Sequence, residues 1–249
     1  MNNSSKQFIY RGELSGVSLV FSFRYPETAK YLAAFNLIPE SSPSMDPISV
    51  SQQEFDDWVA AGNGTDAFAE FCLLCQQTSQ HLFSSNRCVF HAAAIRWRDK
   101  AWLIAGGSGV GKSTQCRTLL EHWPNEVAII NGDKPVLECR ENGSVMAYPS
   151  PWNGKEGWHG AEAAPLAGIF FLRRGEKNSV DMISAQTAAL RAYLCVFQDF
   201  HDANVITQAG AITQRILNSC PSWLLTSQDV PDSTKLLYQT MQEVCENGV

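Results

Sequence analysis

The pattern of hydrophobic and polar positions changes near residue 85. Before it, Leu19, Phe21 and Phe23 alternate with Ser18, Ser22 and Arg24, the period-2 spacing of a half-buried strand. Residues 7–25, interrupted by Gly12 and Gly16, predict two or three strands. A helix follows over 27–35, then a loop from Pro39 to Pro47 and a short strand at 48–50. Ser51-Gln52-Gln53-Glu54 reads as a capping box opening a helix through Trp58. After a Gly62-Asn63-Gly64 turn, Thr65 or Asp66 caps a longer helix to about Phe83, with Phe68, Phe71, Cys72 and Cys75 on one side.

From Arg87 onward, short apolar runs take turns with helical stripes. Cys88–Trp97 and Lys100–Ala105 predict two strands around a tight Arg98-Asp99 turn. Cys116, Leu119, Leu120 and Trp123 fall at i, i+3, i+4 and i+7, one face of a helix. Val127–Ile130 is a buried strand, and strands at 135–139 and 144–148 flank Asn142-Gly143, a strong hairpin signal. Residues 150–160 form a loop rich in Pro, Gly and Trp. Strands at 166–172, 180–183 and 223–226 and helices at 185–200, 202–217 and 232–244 complete the expectation. The organisation read from this is a smaller strand-rich N-terminal lobe, residues 1–85, joined to an α/β core, residues 86–249.

Composition narrows the partners. The chain has 249 residues, 45% hydrophobic and 18% charged, an ordinary globular balance. The net charge of −6 and the absence of a basic cluster argue against nucleic acid or an anionic membrane as partner. Met1–Lys6 is polar and no apolar run approaches the ~20 residues of a membrane span, so the expected location is cytoplasmic. Self-association stays open. Eight cysteines include a Cys72-x-x-Cys75 pair, but no second ligand pair lies near it, and buried inert thiols are expected instead of zinc or redox chemistry.

The chemistry begins at Gly106-Gly107-Ser108-Gly109-Val110-Gly111-Lys112-Ser113-Thr114, which fits the P-loop pattern G-x-x-x-x-G-K-[ST] between a strand and a helix. Glycines let loop amides turn onto phosphate oxygens, and the helix N-terminus adds partial positive charge. Gly106, Ser108, Gly109, Val110, Gly111, Lys112, Ser113 and Thr114 are therefore expected to bind a nucleotide. Lys112 would reach the outer phosphates and the Ser113 hydroxyl would hold Mg²⁺.

Four more residues are candidates. Asp133 ends an apolar strand one crossover later, where an aspartate commonly holds the metal, though it is also an ordinary turn residue. His91, beside Ala92, Ala93 and Ala94 on the strand before the P-loop strand, is a candidate base or a hydrogen-bonded core histidine. Lys155, in the stiff loop Tyr148–His159, would face substrate or phosphate unless that loop is only packed surface. Arg173, in Arg173-Arg174-Gly175-Glu176-Lys177, would meet the transferring phosphoryl group unless the run is a solvated turn. Signatures of GTPases, transporter ATPases and protein kinases are absent.

This ordered set resembles the catalytic domain of HPr kinase/phosphorylase, and around the nucleotide also phosphoenolpyruvate carboxykinase. The residues that carry it are His91, Trp102–Thr114, Ile130–Leu137, Ser150–Lys155 and Pro165–Leu172. The resemblance implies a P-loop core of that type, ATP, Mg²⁺, and phosphoryl transfer to a hydroxyl of a protein, a peptide or a small metabolite. The alternatives are an ATP-binding regulatory or accessory protein and a simple ATPase. HPr kinases carry two adjacent aspartates where this chain has Gly132 and Asp133, so only the metal-side acid is kept. His91 or Asp133 takes the proton, a loose transition state needs little base help, or no transfer occurs.

Overall fold

The computed structural model describes residues 7–247, so Met1–Lys6 and Gly248–Val249 of the expected lobes lie outside the described residues. An antiparallel hairpin comes first, β1 (Phe8–Leu14) against β2 (Val17–Phe23). Its turn residues Ser15 and Gly16 have φ of 48° and 80°, the left-handed pair whose twist matches that of the strands. After α1 (Thr28–Tyr31), β3 (Ile38–Pro39) pairs with β1. Two helices follow, α2 (Gln52–Ala60) and α3 (Ala67–Leu82). The capping box forms as expected, with Ser51 accepting from the Glu54 amide and Glu54 from the Ser51 amide. Asp66 caps α3 by accepting from the amides of Phe68 and Ala69.

The rest builds one nine-stranded mixed sheet. Its first strands are β4 (Arg87–Val89), β5 (Ala92–Trp97) and β6 (Lys100–Ala105), followed by α4 (Lys112–His122). Next come β7 (Val127–Asn131), β8 (Val136–Cys139), β9 (Val145–Tyr148), β10 (Ala164–Arg174) and β11 (Ser179–Ile183). Helices α5 (Ala185–Tyr193) and α6 (Ala203–Ser219), strand β12 (Ser222–Ser227) and α7 (Val230–Asn247) close the chain. The strand order is β4-β8-β9-β10-β6-β5-β7, with β12 joined to β10 and β11. β10 runs parallel to β6 and β12, and the other pairings are antiparallel.

Helices cover both faces, which is why the central strands are apolar runs instead of alternating ones. Trp102 and Ile104 of β6 face α4 and α7, packing with Cys116, Leu119, Leu237 and Met241. Ala101, Leu103 and Ala105 face the other way, toward Ala188, Ala209 and Ile216 of α5 and α6.

Several expectations change. The strand expected at 48–50 is only an isolated bridge of Ile48 to Phe21, and the helix expected over 27–35 is split into α1 and a 3-10 turn at Ala33–Phe35. The N-terminal lobe is not strand-rich: β1, β2 and β3 have 7, 7 and 2 residues, whereas α3 alone has 16. The hairpin buries one face by covering it with helix, so Phe21 and Phe23 pack with Leu74 and Leu82 of α3. That core also takes in Val89, Val136 and Trp152 from beyond residue 85, so the lobes share it. The expected strand Cys88–Trp97 is broken at Phe90 and His91, where the chain leaves β8 for β6 and β7. There the Phe90 amide donates to Pro135 and the Ala92 amide to Phe90 itself, a tight local turn. The helix expected over 185–200 ends at Tyr193, because Cys195–Phe197 serve instead as backbone partners of residues 89–91.

Candidate functional site

The site forms where β6, β7 and β10 end on one side of the sheet. Ala105 closes β6, the loop turns through Gly106, Gly109 and Gly111 with φ of 156°, 73° and 117°, and α4 begins at Lys112. Gly106 is required by contact as well as by φ, since a Cβ there would stand 2.8 Å from the Leu172 carbonyl oxygen of β10. Ser108, Gly109 and Thr114 are exposed, and Val110 and Ser113 are half-buried. A fully buried polar network anchors α4 from behind: the Gln115 side chain donates to Ser233 and accepts from Thr234 of α7.

Lys112 is 7% exposed and folds over its own loop. Its ammonium donates to the carbonyls of Gly106 (2.9 Å) and Gly107 (3.3 Å) and lies 3.1 Å from His91 Nε2. Burial pulls the ammonium below its usual pKa, partly opposed by the negative charge of Asp133. The break between β4 and β5 is what brings His91 here. Its backbone amide donates to Cys195 at 2.7 Å and its ring meets the edge of Phe197.

Asp133 approaches from β7, with Oδ1 3.3 Å from His91 Nε2 and Oδ2 paired to Lys134 Nζ. Burial resists its ionisation, but hydrogen bonding from His91 and the charge of Lys134 prevail, and the carboxyl drops from 3.8 to about 2. Asn131, fully buried, orients the turn: its Oδ1 accepts from the amides of Asp133 (2.9 Å) and Lys134 (2.6 Å), and its Nδ2 donates to the Ser150 carbonyl (2.9 Å).

The loop at 150–160 lies over this turn. The Gly132 amide donates to the Trp158 carbonyl at 3.0 Å, and a Cβ on Gly132 would meet the Asn153 carbonyl oxygen at 2.6 Å. No side chain fits at 132 while that loop is in place. Trp152 pins the loop to the N-terminal lobe, stacking on Phe71 and donating its indole N–H to the Phe71 carbonyl at 2.9 Å.

Lys112, His91 and Asp133 are thus brought together, with Ser113 next along α4. Lys155 is exposed between Gly154 and Gly157 and makes no hydrogen bond or ion pair with the cluster among the described residues. Arg173 donates from Nε to Thr226 of β12 at 3.0 Å, while Arg174 reaches the Gly109 carbonyl of the P-loop at 2.9 Å. Successive strand residues point to opposite faces, so only one of the two arginines can do so. Arg174, Lys134 and Asn131 are therefore residues that sequence reasoning passed over. Strand alternation carried a signal for the first, and the Asx-type turn chemistry of Asn-Gly-Asp for the last.

Elsewhere the chemistry is sparse. A cleft of about 500 Å³ between α5 and α6, lined by Ala185, Leu190, Tyr193 and Leu217 among others, contains no charged residue. All eight cysteines are free, and burial pushes the thiols of Cys116 and Cys195, the two nearest the P-loop lysine, up to about 12. Among the described residues no helix is long and apolar enough to cross a membrane.

A magnesium ion needs few protein ligands, usually one or two carboxylates with phosphate oxygens and water completing the octahedron. Asp133, ionised down to about pH 2, and the Ser113 hydroxyl fit that demand. No cluster of three or more His, Cys, Asp or Glu suited to a metal occurs among the described residues.

No family model and no curated relative matches the chain. Among solved structures, the HPr(Ser) kinase/phosphatase from Coxiella burnetii matches with a TM-score of 0.35 at 12% identity, covering 62% of this chain and 97% of that one. The likeness is distant; the described residues themselves form a mixed α/β fold with a nine-stranded mixed sheet and a three-stranded one.

Proposed function

We propose that the protein binds ATP and transfers its γ-phosphoryl group to a hydroxyl, borne by a serine of a protein or peptide or by a small metabolite. One observation carries this reading: a single imidazole nitrogen, His91 Nε2, stands between the P-loop lysine at 3.1 Å and Asp133 at 3.3 Å. Neutral, Nε2 accepts from Lys112. Protonated, it donates to Asp133. The ring is therefore held in place both before and after it takes a proton.

The loop amides of Gly106–Gly111 and the N-terminus of α4 would hold the phosphates, with Lys112 swinging from the Gly106 and Gly107 carbonyls to the outer charge. Ser113 and Asp133 would hold Mg²⁺, which when bound neutralises charge on the phosphate oxygens. The acceptor oxygen bonds to the γ-phosphorus, the bond to the β–γ bridging oxygen breaks, and His91 Nε2 receives the hydroxyl proton. Asn131 keeps Asp133 aimed, and the loop at 150–160 screens the turn from water. Trp152 ties that loop to the N-terminal lobe, which supports a role for the lobe in choosing the acceptor.

Lys112→Ala is expected to abolish Mg-ATP binding in calorimetry, and unchanged affinity would remove the P-loop assignment. His91→Ala is expected to lower turnover about 10²-fold or more with nucleotide affinity nearly unchanged; wild-type turnover would remove His91 as base.

The closed space at Gly132 favours a second reading, a nucleotide-binding regulatory protein without transfer. Labelled ATP with a panel of serine-containing acceptors separates the two, since only the kinase leaves stable phosphoserine.

A further inference from the structure

Asp133 is paired with the residue next to it in sequence, an arrangement that needs an explanation. Adjacent side chains seldom face each other, yet Lys134 Nζ sits on Asp133 Oδ2. The cause is Asn131, whose Oδ1 gathers both amides into one tight turn so that the two side chains leave it together. Lys134 then runs back along Phe197, with its ammonium 5.6 Å from the ring centroid. Both partners are largely shielded, with side chains 24% and 22% exposed, so the pair is less screened than a surface ion pair. Lys134 thus already engages one oxygen of the carboxylate, and His91, once protonated, would engage the other.

We propose that Lys134 is an internal counter-ion standing in the place of the divalent metal on Asp133, and that it sets how strongly metal binding is coupled to nucleotide binding. The inference rests on the reading of Asp133 as the metal ligand. A divalent ion held by Asp133 would be repelled by the ammonium beside it, so loading the metal requires Lys134 to move away. The carboxylate is thereby kept aimed without metal, at the cost of weaker metal binding. The metal gains its full hold only when phosphate oxygens supply the remaining ligands. Lys134 acts through Asp133 and is a positioning residue.

The measured quantity is the ratio of affinities for a non-hydrolysable ATP analogue with magnesium and with chelator, by calorimetry on the full chain. At a magnesium concentration too low to load the free protein, this ratio rises with the metal's affinity for the nucleotide complex and cancels uniform changes in nucleotide affinity. Lys134→Met is expected to raise it about tenfold, Lys134→Arg to leave it near wild type, and Asp133→Asn to lower it. Arg117→Met removes an equal charge from the exposed face of α4 and is expected to leave it unchanged. A ratio in Lys134→Met at or below wild type, with Asp133→Asn still lowering it, overturns the proposal and leaves Asp133 as the ligand. Equal rises in Lys134→Met and Arg117→Met reduce the effect to net charge and overturn it as well. No change in Asp133→Asn removes the metal reading and the proposal together. Thermal melts of each variant, with Lys134→Gln as a second neutral replacement, separate these outcomes from misfolding.

Discussion

A buried carboxylate and a half-buried one in this protein are held in opposite ways. Glu70, on α3, is 1% exposed and accepts from the Arg24 amide (2.7 Å), the Tyr25 amide (3.2 Å) and the Thr28 hydroxyl (2.6 Å). Its partners are neutral and local to one turn, and it makes no ion pair among the described residues. Asp133 is held by a lysine and a histidine, both on side chains that can move. Neutral backbone donors have nowhere else to go, so Glu70 is a structural tie between β2, α1 and α3. Charged side-chain partners can exchange for a metal, a phosphate or a proton, and a carboxylate held by them remains available for chemistry.

Breaking the fixed partner set has the largest expected effect on stability. Glu70→Ala leaves the amides of Arg24 and Tyr25 without an acceptor and the Thr28 hydroxyl with only the Ala67 carbonyl, and is expected to cost about 4 kcal/mol, read from urea melts, with nucleotide affinity unchanged in the protein that remains folded. A cost under ~1 kcal/mol would mean that water replaces the carboxylate and that the tie is dispensable.

Next comes the turn that carries Asp133. Gly132→Asp places a Cβ 2.6 Å from the Asn153 carbonyl oxygen and must displace the loop at 150–160. The expected cost is about 3 kcal/mol, with no gain in phosphoryl transfer from the added acid. Wild-type thermal stability together with faster transfer would show that the loop yields and that the position can serve a base.

The exchangeable partner set is expected to matter least for stability and to reveal itself by pH. The Asp133 carboxyl titrates lower in the folded chain, about 2 against 3.8, so its ionised form stabilises the fold. That contribution, about 2 kcal/mol, is complete well above 3.8 and lost as pH falls through about 2. Asp133→Asn is therefore expected to be less stable than wild type at pH 7 by up to that amount, the gap closing toward pH 2. A gap independent of pH would show that the carboxylate's charge contributes nothing.

Much of the fold was legible because local rules agreed with tertiary demands. The Ser51–Glu54 capping box, the Arg98-Asp99 turn with both φ positive at 47° and 58°, and the glycine-rich loop between β6 and α4 all depend on residues close in sequence. The misreadings share one cause. Cys88–Trp97 looks like one strand and 185–200 like one helix, but residues 89–91 and 195–197 bond to each other across about 105 residues of chain. That pairing ends α5, breaks the strand and places His91 at the break.

By itself the sequence determined a glycine-rich loop between a strand and a helix, and an aspartate one crossover away, because each is a pattern of spacing. Only the tertiary structure decided which side chains meet. It set Arg174 instead of Arg173 on the P-loop, closed the space at Gly132 with a carbonyl from a loop twenty residues on, and seated Lys134 on Asp133. These outcomes follow from which face of a strand points where and which loop crosses which turn, and neither is encoded in the residues concerned.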